Sequence, residues 1–495
     1  MSKIIIQNGN MCELDLPLKF AQKLYNEFAI RHPNAFYLRT RQRGMQNWDG
    51  KIHYITKTGQ FKIGLLPKVY DMCIEMGIKP KVVDMRQPLP KVSKVVTNIG
   101  KYKLRPEQEK AVKAVINNKI GNTPFHIGVL DYTVNAGKTL IMSSLYLSYK
   151  KQLKTLLITN DSDWLNQARE EFKQYLPGED ITFVQGKVLN WSNFTIGMVQ
   201  SISRNMRFYQ KELSQIDMVL VDEADQGGSK QYQNVITRLF NTRIRIGLSG
   251  TIYMSKLAKD KVKNMNLECF FGKVIAEFKL KDSIKKGYST KTVVKMVPGK
   301  PWYGNWESDC ISYKEIYDDS ITNCYTAWLM AYNRLLWNLN QGRYPALVVC
   351  KHIAHCENLY KFFKKKLGDA YNIAYVHVNT PSKLRQQIMK DFREGKIDIL
   401  VSTTIIARGK NFPKLKYLLN TASMDSQEKS IQFLGRLVRT DKSKKKVYLD
   451  DLHYPGPYLD RHGKHRKQYY QRQELKVILL DKLWKKHPNH SLIKS

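Results

Sequence analysis

The sequence lacks several features, and each lack excludes a class of protein. No apolar run approaches the ~20 residues that cross a bilayer, so we expect no membrane partner. The first ten residues show no secretory pattern. The 7 cysteines are odd in number and scattered, which predicts a reducing, cytoplasmic compartment and no disulfide-linked partner.

Acidic residues are also scarce, since 43 Asp and Glu stand against 82 Lys and Arg. The resulting formal charge of +39 predicts a polyanionic partner. Nucleic acid is the first choice, and an anionic membrane surface is a poor second. With 495 residues and 42% hydrophobic content, the chain is long and apolar enough for two to four globular domains.

Patterns along the chain divide it into four segments. Residues 1–95 mix helical periodicity with short alternating runs and predict a small α+β domain. Residues 96–290 and 291–452 alternate strand and helix patterns, which predicts two α/β lobes with parallel sheets and a cleft between them. Residues 453–495 predict a basic helical tail. The runs predicted as strands are 126–130, 155–159, 194–198, 218–221, 244–248, 346–350, 373–377, 398–402, 416–419 and 447–450.

The run T-V-N-A-G-K-T at 133–139 lies between a strand pattern and a helix pattern. This is the arrangement of a phosphate-binding loop, in which backbone N–H groups and a helix N-terminus cradle phosphates. Lys138 would reach the β and γ phosphates of ATP, and Thr139 would hold Mg²⁺. Tyr132 stands where the full pattern has its first glycine. The predicted nucleotide-binding residues here are Thr133, Asn135, Ala136, Gly137, Lys138 and Thr139.

A second motif, D-E-A-D at 222–225, also follows a strand pattern. Asp222 would hold the same Mg²⁺, and Glu223 would orient or deprotonate the attacking water. The two motifs together predict hydrolysis of a nucleoside triphosphate. The alternative is a tight loop and an unrelated acidic, solvated turn.

Further candidates follow in order along the chain. Gln108 can make two hydrogen bonds to an adenine edge, or it can cap a helix that begins after a proline. Gly409, Asn411 and Gln432 are nucleotide-binding candidates in the second lobe. The residues predicted to grip a nucleic-acid backbone without reading bases are Thr159, Gln200, Thr403 and Thr404.

The order G-K-T, D-E-A-D, S-G-T and Q-x-x-G-R-x-x-R resembles superfamily 2 helicases over residues 102–452. The resemblance implies an α/β fold with two RecA-like parallel-sheet lobes, beside the small α+β domain and the basic helical tail. It also implies that Arg436 and Arg439 act as arginine fingers on the γ-phosphate. A solvated basic helix face is the alternative for these two arginines.

The letters D-E-A-D suggest an RNA helicase of the DEAD-box type, but that family's P-T-R-E-L, S-A-T and H-R-x-G-R motifs are replaced. Residues 47–51 (N-W-D-G-K) and 351–355 (K-H-I-A-H) instead resemble the UvsW type of phage recombination and repair helicases. That resemblance implies an ATP-dependent motor in a host cytoplasm that unwinds or branch-migrates forks, four-way junctions and R-loops. Its partners would be single-stranded and branched DNA, with RNA in RNA–DNA hybrids. An RNA helicase and a restriction-type DNA translocase subunit remain alternatives, although no P-D-x(n)-E-x-K nuclease cluster stands out.

Arg39, Arg41 and Arg43 alternate along a predicted strand at 36–43, where they would share one face. With Trp48 and Lys51 they form a candidate nucleic-acid surface that combines phosphate contact with base stacking. The alternative is a solvated strand face with Trp48 in the domain core.

Cys350, His352, His355 and Cys356 are close enough in sequence to suggest zinc. No second Cys or His pair elsewhere completes a usual site, and 346–350 reads as a buried strand. We therefore expect a structural role for this cluster.

Overall fold

The computed structural model describes residues 2–41, 45–149, 152–252, 260–299, 312–407 and 412–480. The chain forms two compact units, Met1–Phe278 and Lys279–Ser495. Within the described residues, no helix is both long enough and apolar enough to cross a membrane.

The first unit begins with a four-stranded sheet of order β5-β2-β1-β6, beside a two-stranded ribbon of β3 and β4. Helix α3 begins after a buried Ile63–Leu65 turn and returns the chain from β5 to β6. The strands are β1 Lys3–Ile6, β2 Met11–Asp15, β3 Ala29–Arg31, β4 Lys51–His53, β5 Gln60–Lys62 and β6 Lys81–Asp84. The helices are α1 Leu18–Glu27, α2 Ala35–Arg41 and α3 Leu66–Glu75.

The rest of the first unit is built on a seven-stranded, fully parallel sheet of order β13-β14-β12-β15-β16-β11-β17. Every residue of β11, β12, β15 and β16 is buried, as in a sheet covered on both faces. The strands are β7 Asn98–Ile99, β8 Tyr102–Lys103, β9 Lys119–Ile120, β10 Thr123–Pro124, β11 His126–Tyr132, β12 Thr155–Thr159, β13 Ile181–Val184, β14 Phe194–Met198, β15 Met218–Asp222, β16 Ile244–Ser249 and β17 Val274–Phe278. The helices are α4 Pro106–Ile116, α5 Lys138–Ser148, α6 Ser162–Tyr175, α7 Val199–Arg204, α8 Gln210–Ser214, α9 Lys230–Ile236 and α10 Lys261–Phe271.

The second unit repeats this design with a seven-stranded parallel sheet of order β20-β21-β19-β22-β23-β18-β24. The two sheets confirm the predicted α/β class and its parallel lobes. The strands are β18 Lys291–Pro298, β19 Ala346–Cys350, β20 Ile373–Val376, β21 Ile399–Thr403, β22 Tyr417–Asn420, β23 Lys446–His453 and β24 Val477–Leu479. The helices are α11 Leu280–Lys285, α12 Tyr313–Tyr317, α13 Tyr325–Leu339, α14 Ile353–Leu367, α15 Ser382–Glu394, α16 Gln427–Leu437 and α17 Leu459–Arg472.

The predicted C-terminal tail is part of the second unit through residue 480. The Arg466 side chain of α17 is fully buried and donates hydrogen bonds to Asp451 at 2.8–3.1 Å. The Tyr470 hydroxyl donates to the same carboxylate at 2.7 Å. Beyond the helix, β24 pairs with β18 and completes the sheet. One face of α17 is therefore buried, although the segment is basic in composition.

The predicted small domain shares one hydrophobic cluster with the first parallel sheet. That cluster contains Ile4, Phe61 and Leu66 as well as Phe125, Leu239 and Phe271. Gly64 lies so close to α10 that an added Cβ would be 2.1 Å from the Glu268 carbonyl oxygen. Residues 1–95 are consequently packed as part of the first unit.

A buried arginine ties these two parts of the first unit together. The guanidinium of Arg245, on β16, is fully buried and donates to the Gly9 carbonyl at 2.6 Å and to Asn10 Oδ1 at 2.8 Å. The Asn10 amide also donates to the Thr237 carbonyl at 3.1 Å. An unsatisfied buried cation is costly, so these contacts are structural.

Asn10→Ala is expected to lower the free energy of unfolding of the first unit by about 1.5–3 kcal/mol, the scale of a hydrogen bond to a charged group. Urea denaturation followed by fluorescence measures this. Gln7→Ala, at an exposed neighbouring position, is the matched control and should leave the midpoint unchanged. Equal midpoints for Asn10→Ala and the wild type would show that Arg245 is satisfied without Asn10.

Candidate functional site

The loop at 133–137 joins the carboxyl end of β11 to the N-terminus of α5. Two of its residues have left-handed backbone, Asn135 with φ 66° and Gly137 with φ 73°. Gly137 needs this freedom, because it stands directly before the first residue of α5 and an added Cβ would lie 2.3 Å from Gln108 Nε2. The loop thus turns its backbone toward the positive end of a helix, which suits an anion.

Gln108 lies beneath this loop. Its side chain is fully buried; Nε2 donates to the Ala136 carbonyl at 2.9 Å, and Oε1 accepts from the Arg105 N–H at 2.8 Å. Arg105 also donates to the Asn135 carbonyl at 3.3 Å. The helix-capping alternative is confirmed for Gln108, and an adenine contact stays a prediction. Gln108 positions the loop from below.

Tyr132, at the position of the missing glycine, is part of the core. Its hydroxyl donates to the Glu107 carbonyl at 2.8 Å, and its ring packs against Phe278. The next residue, Thr133, donates its N–H to the Phe278 carbonyl at 3.0 Å. The start of the loop is therefore held by the Tyr132 hydroxyl and by the end of β17. A glycine in place of Tyr132 would give the backbone more freedom at this point.

Lys138 and Asp222 come together at the carboxyl edge of the sheet. Strands β11 and β15 both pair in parallel with β16, so their ends lie at the same edge. Lys138 Nζ is 3.9 Å from Asp222 Oδ1, and that buried oxygen accepts no hydrogen bond among the described residues. Burial raises the pKa of Asp222, and the charge of Lys138 lowers it less. A buried carboxylate oxygen without a donor beside a lysine fits a site for a cation and phosphates.

Glu223 follows directly and has left-handed backbone with φ 52°. Its carboxylate accepts from Gln226 Nε2 at 3.4 Å, and Gln226 Oε1 accepts in turn from Asn160 Nδ2. The Asn160 carbonyl accepts from Gln200 Nε2 at 3.4 Å. This series of hydrogen bonds links Gln200, a predicted nucleic-acid contact, to Glu223, a predicted catalytic residue. The sequence reading missed Gln226; its position directly after D-E-A-D is the signal that could have found it.

Thr159 is 2% exposed, and its hydroxyl accepts from the Asp161 N–H at 3.2 Å. The hydroxyl can still donate a hydrogen bond, so its contact with a nucleic-acid backbone stays a prediction. Gln200 is half-buried and remains a candidate for such a contact.

In the second unit, Gln432 and Arg436 are four residues apart on α16 and share one face, and Arg439 follows just beyond the end of the helix. All three are half-buried, whereas the intervening Phe433, Leu434 and Leu437 are buried. The two arginines are therefore only partly solvated, in contrast to the alternative of a solvated helix face.

The second unit also places a predicted nucleic-acid contact beside α16. Lys429 Nζ donates to Thr404 Oγ1 at 3.3 Å, so Thr404 contacts the helix that bears Arg436. Thr403 ends β21 and is 7% exposed. Gly409 and Asn411 lie outside the described residues, as does Arg43 of the basic surface.

The Cys and His cluster is part of a packed interior. His355 Nδ1 is 2.9 Å from the Tyr317 hydroxyl, and burial lowers the pKa of His355 to about 3. Cys350 and Cys356 are fully buried. Across the described part of the chain, no group of three or more His, Cys, Asp or Glu could hold a metal ion. His355, Cys350 and Cys356 therefore contribute to the packing of the second unit.

Two known families match the chain, one in each unit. The family described as "Type III restriction enzyme, res subunit" matches residues 101–254, and "Helicase conserved C-terminal domain" matches residues 329–441. The first match contains the phosphate loop and the D-E-A-D motif, and the second contains α16. Together with the relatives below, these two matches support a superfamily 2 helicase.

Similar curated proteins include the ATP-dependent DNA helicase uvsW of Enterobacteria phage T4, which is 22% identical over 82% of each chain. Two further curated relatives, from a Sulfolobus islandicus filamentous virus and from Saccharomyces cerevisiae, are 22% and 23% identical over 71% and 70% of this chain. The chain spans 64% and 51% of their lengths.

The fold is similar to that of the DNA-bound Type ISP restriction-modification enzyme LlaBIII. That structure has a TM-score of 0.57 and 15% sequence identity, and the match covers 81% of this chain and 33% of that one. It shows that the arrangement of sheets and helices is shared.

The basic surface of the first unit differs from its prediction. The predicted strand at 36–43 is helix α2 over its described part, so Arg39 and Arg41, two positions apart, do not share a face. Arg41 instead stacks on Tyr37, with its guanidinium carbon 4.5 Å from the ring centre. Trp48 is half-buried and donates from Nε1 to the Lys51 carbonyl at 2.9 Å, so it lies at the edge of the fold and not in its core.

Gln108→Ala is expected to weaken nucleotide binding, because it leaves the Ala136 carbonyl and the Arg105 N–H without their buried partner. Leaving such a group unsatisfied costs about 1–3 kcal/mol, or about 5- to 150-fold in affinity if the loop bears the full effect. Titration with ATP and with GTP measures it. A loop brace predicts equal losses for both nucleotides, whereas an adenine contact predicts loss for ATP alone. Lys110→Ala, exposed on the same helix, is the control.

Proposed function

We propose that the chain is an ATP-dependent DNA motor that unwinds or branch-migrates forks, four-way junctions and R-loops. One observation carries the proposal. Lys138 Nζ lies 3.9 Å from an Asp222 oxygen that accepts no hydrogen bond among the described residues, and Lys138 directly follows a loop with two left-handed residues that leads into α5. The similarity to superfamily 2 helicases supports the motor class. The similarity to the phage T4 DNA helicase over 82% of both chains supports DNA as the track.

In this proposal, the residues of the first unit divide the work of hydrolysis. The loop backbone at 133–137 and the N-terminus of α5 bind the phosphates, and Lys138 neutralises their outer charge. Thr139 and Asp222 would hold Mg²⁺, which when bound neutralises charge on the phosphate oxygens. Glu223 orients the attacking water and accepts its proton. The arginine-finger role of Arg436 and Arg439 stays a prediction of the family resemblance.

Nucleic-acid contacts are proposed for each unit separately. In the first unit they involve Gln200, Arg39, Lys51 and Trp48, and in the second Thr403 and Thr404. The formal charge of +39 supports a polyanionic track, because neutralised phosphates release counterions and strengthen binding.

A restriction-type DNA translocase is the second candidate, favoured by the family that matches residues 101–254 and by the fold similarity to LlaBIII. It shares the motor and the DNA track with the first candidate but acts on continuous duplex. An RNA helicase is the third, and its track would be single-stranded RNA.

The deciding experiment measures ATP hydrolysis with single-stranded DNA, forked DNA, four-way DNA, unbranched duplex and RNA in parallel. The proposal expects the greatest stimulation by forked and four-way DNA, together with strand separation. Stimulation by unbranched duplex without strand separation would favour the translocase, and stimulation by RNA alone would favour the RNA helicase. No turnover with any of them would overturn the motor itself.

A further inference from the structure

A concavity of about 600 Å³ opens on the first unit between helix α2 and the β3–β4 ribbon. Its wall includes Arg31, Phe36, Arg39, Thr40, Gln46 and Lys51. We call it the Phe36 pocket. Its volume lies within the range of pockets that enclose small, flat ligands.

Backbone contacts join the β3–β4 ribbon to the start of α2 beside the pocket. Gly50, with φ 77°, is so close to α2 that an added Cβ would lie 3.1 Å from the Ala35 Cβ. The Gly50 carbonyl accepts from the His32 N–H at 2.8 Å. Because β3 and β4 also pair directly, the ribbon and the helix form a fixed frame around the opening.

Phe36 presents an aromatic face to solvent. Its side chain is 80% exposed, and its neighbour Tyr37 is 53% exposed. Phe36 lies one helical turn before Arg39 and Thr40, so all three are on the pocket side of α2. A large aromatic ring at the rim of a concavity offers a flat surface on which another ring can stack.

Three cationic side chains line the same pocket as this ring. Arg31 and Lys51 are direct partners in the β3–β4 register, and Arg39 projects from the helix opposite. All three are exposed, and no ion pair is formed by any of them within the described ranges. The one carboxylate in the wall, Asp49, is bound by His53 Nε2 at 2.6 Å and by the Lys51 N–H at 2.9 Å. The pocket therefore combines an exposed ring with an excess of positive charge.

We propose that the Phe36 pocket binds a single-stranded segment of DNA by stacking one unpaired base on Phe36 while Arg31, Arg39 and Lys51 contact the flanking phosphates. The complementarity of charge and the flat ring favour this occupant over duplex, whose bases are already stacked. The inference rests on the proposed function, since a branched substrate supplies the unpaired strand. None of the hydrolysis residues lies in this pocket.

Equilibrium binding of full-length protein to a forked DNA with single-stranded arms and to a blunt duplex tests the proposal. Phe36→Ala should weaken binding of the forked DNA by about 5- to 150-fold, the worth of one base stacked on an aromatic ring. Binding of the blunt duplex should not change. Phe36→Trp should retain the affinity, whereas Phe36→Leu should not, because it keeps the apolar contact and loses the flat ring.

The charged groups have their own readout. Arg31→Gln and Lys51→Gln should each reduce the slope of log K against log salt on the forked DNA by about 0.7, the value for one phosphate of a single strand. Leu18→Ala, 77% exposed on α1, is the control for removal of an exposed apolar side chain. Thermal melting of every variant confirms that the fold is kept.

Several outcomes would overturn the proposal. Equal losses on forked and blunt DNA would assign the pocket to duplex, and unchanged binding by Phe36→Ala would remove the stacking step. Full affinity of Phe36→Leu for the forked DNA would show that an apolar contact without a flat ring is sufficient. Preference for single-stranded RNA over DNA, measured alongside, would replace the proposed strand. These assays contain no ATP, so their result does not depend on hydrolysis. A wild type without nucleic-acid-stimulated hydrolysis would overturn the motor proposal and leave the binding result unchanged.

Discussion

Lys138→Ala is expected to abolish measurable ATP turnover while leaving DNA binding intact. The ammonium group stands 3.9 Å from Asp222 at the mouth of the loop, where outer phosphates carry the most negative charge. Removing one preorganised donor from a site of developing charge typically lowers the rate by about 10²–10³-fold. The Phe36 pocket is formed by other residues of the same unit, so DNA should still bind.

Steady-state hydrolysis and DNA binding on the same preparation measure both effects. Lys154→Ala is the matched control, since Lys154 is exposed and distant in sequence from the loop. Turnover at the wild-type rate by Lys138→Ala would refute the assignment of 133–139 as a phosphate loop. Loss of DNA binding together with turnover would show that the variant has damaged the fold.

Glu223→Gln is expected to keep nucleotide affinity and to slow the chemical step by about 10²–10⁴-fold, the usual contribution of a positioned general base. The amide preserves the size of the side chain and its acceptor toward Gln226, but it cannot take the proton of the attacking water. A complex with unhydrolysed ATP should therefore accumulate.

Nucleotide affinity and single-turnover hydrolysis separate binding from chemistry. Glu277→Gln, at an exposed position of the edge strand β17, is the control and should hydrolyse ATP normally. If Glu223→Gln loses affinity and turnover together, Glu223 holds the loop in shape and another group activates the water.

The strands around the site were predictable because parallel strands buried on both faces leave continuous apolar runs. The runs at 126–130 and 218–221 coincide with β11 and β15, and the motif residues follow at their carboxyl ends. Strand order was not predictable from these runs. The juxtaposition of Lys138 and Asp222 depends on β16 lying between β11 and β15, a pairing that no local pattern encodes.

Segments without a continuous apolar run were harder to predict. The sequence A-F-Y-L-R-T-R at 35–41 mixes strand-favouring aromatics with helix-favouring Ala, Leu and Arg, and it forms α2. β13, β17, β18 and β24 were missed because β13, β17 and β18 are partly exposed and β24 has only three residues. Each of them is nevertheless paired within a parallel sheet, and β17 holds the start of the phosphate loop.

The Arg245 contacts bear on how the chain is synthesised. Arg245 binds Gly9 and Asn10 across separations of 236 and 235 residues, so the segment around Gly9 is synthesised long before β16, the strand that supplies its buried partner. At ~5–20 residues per second, that delay is on the order of ten seconds or more. During this time Ile4, Ile6 and Phe61, buried in the finished unit, lack part of their packing. Nascent chains that end before β16 should therefore be captured by hydrophobic-surface chaperones, whereas chains that extend past α10 should be released.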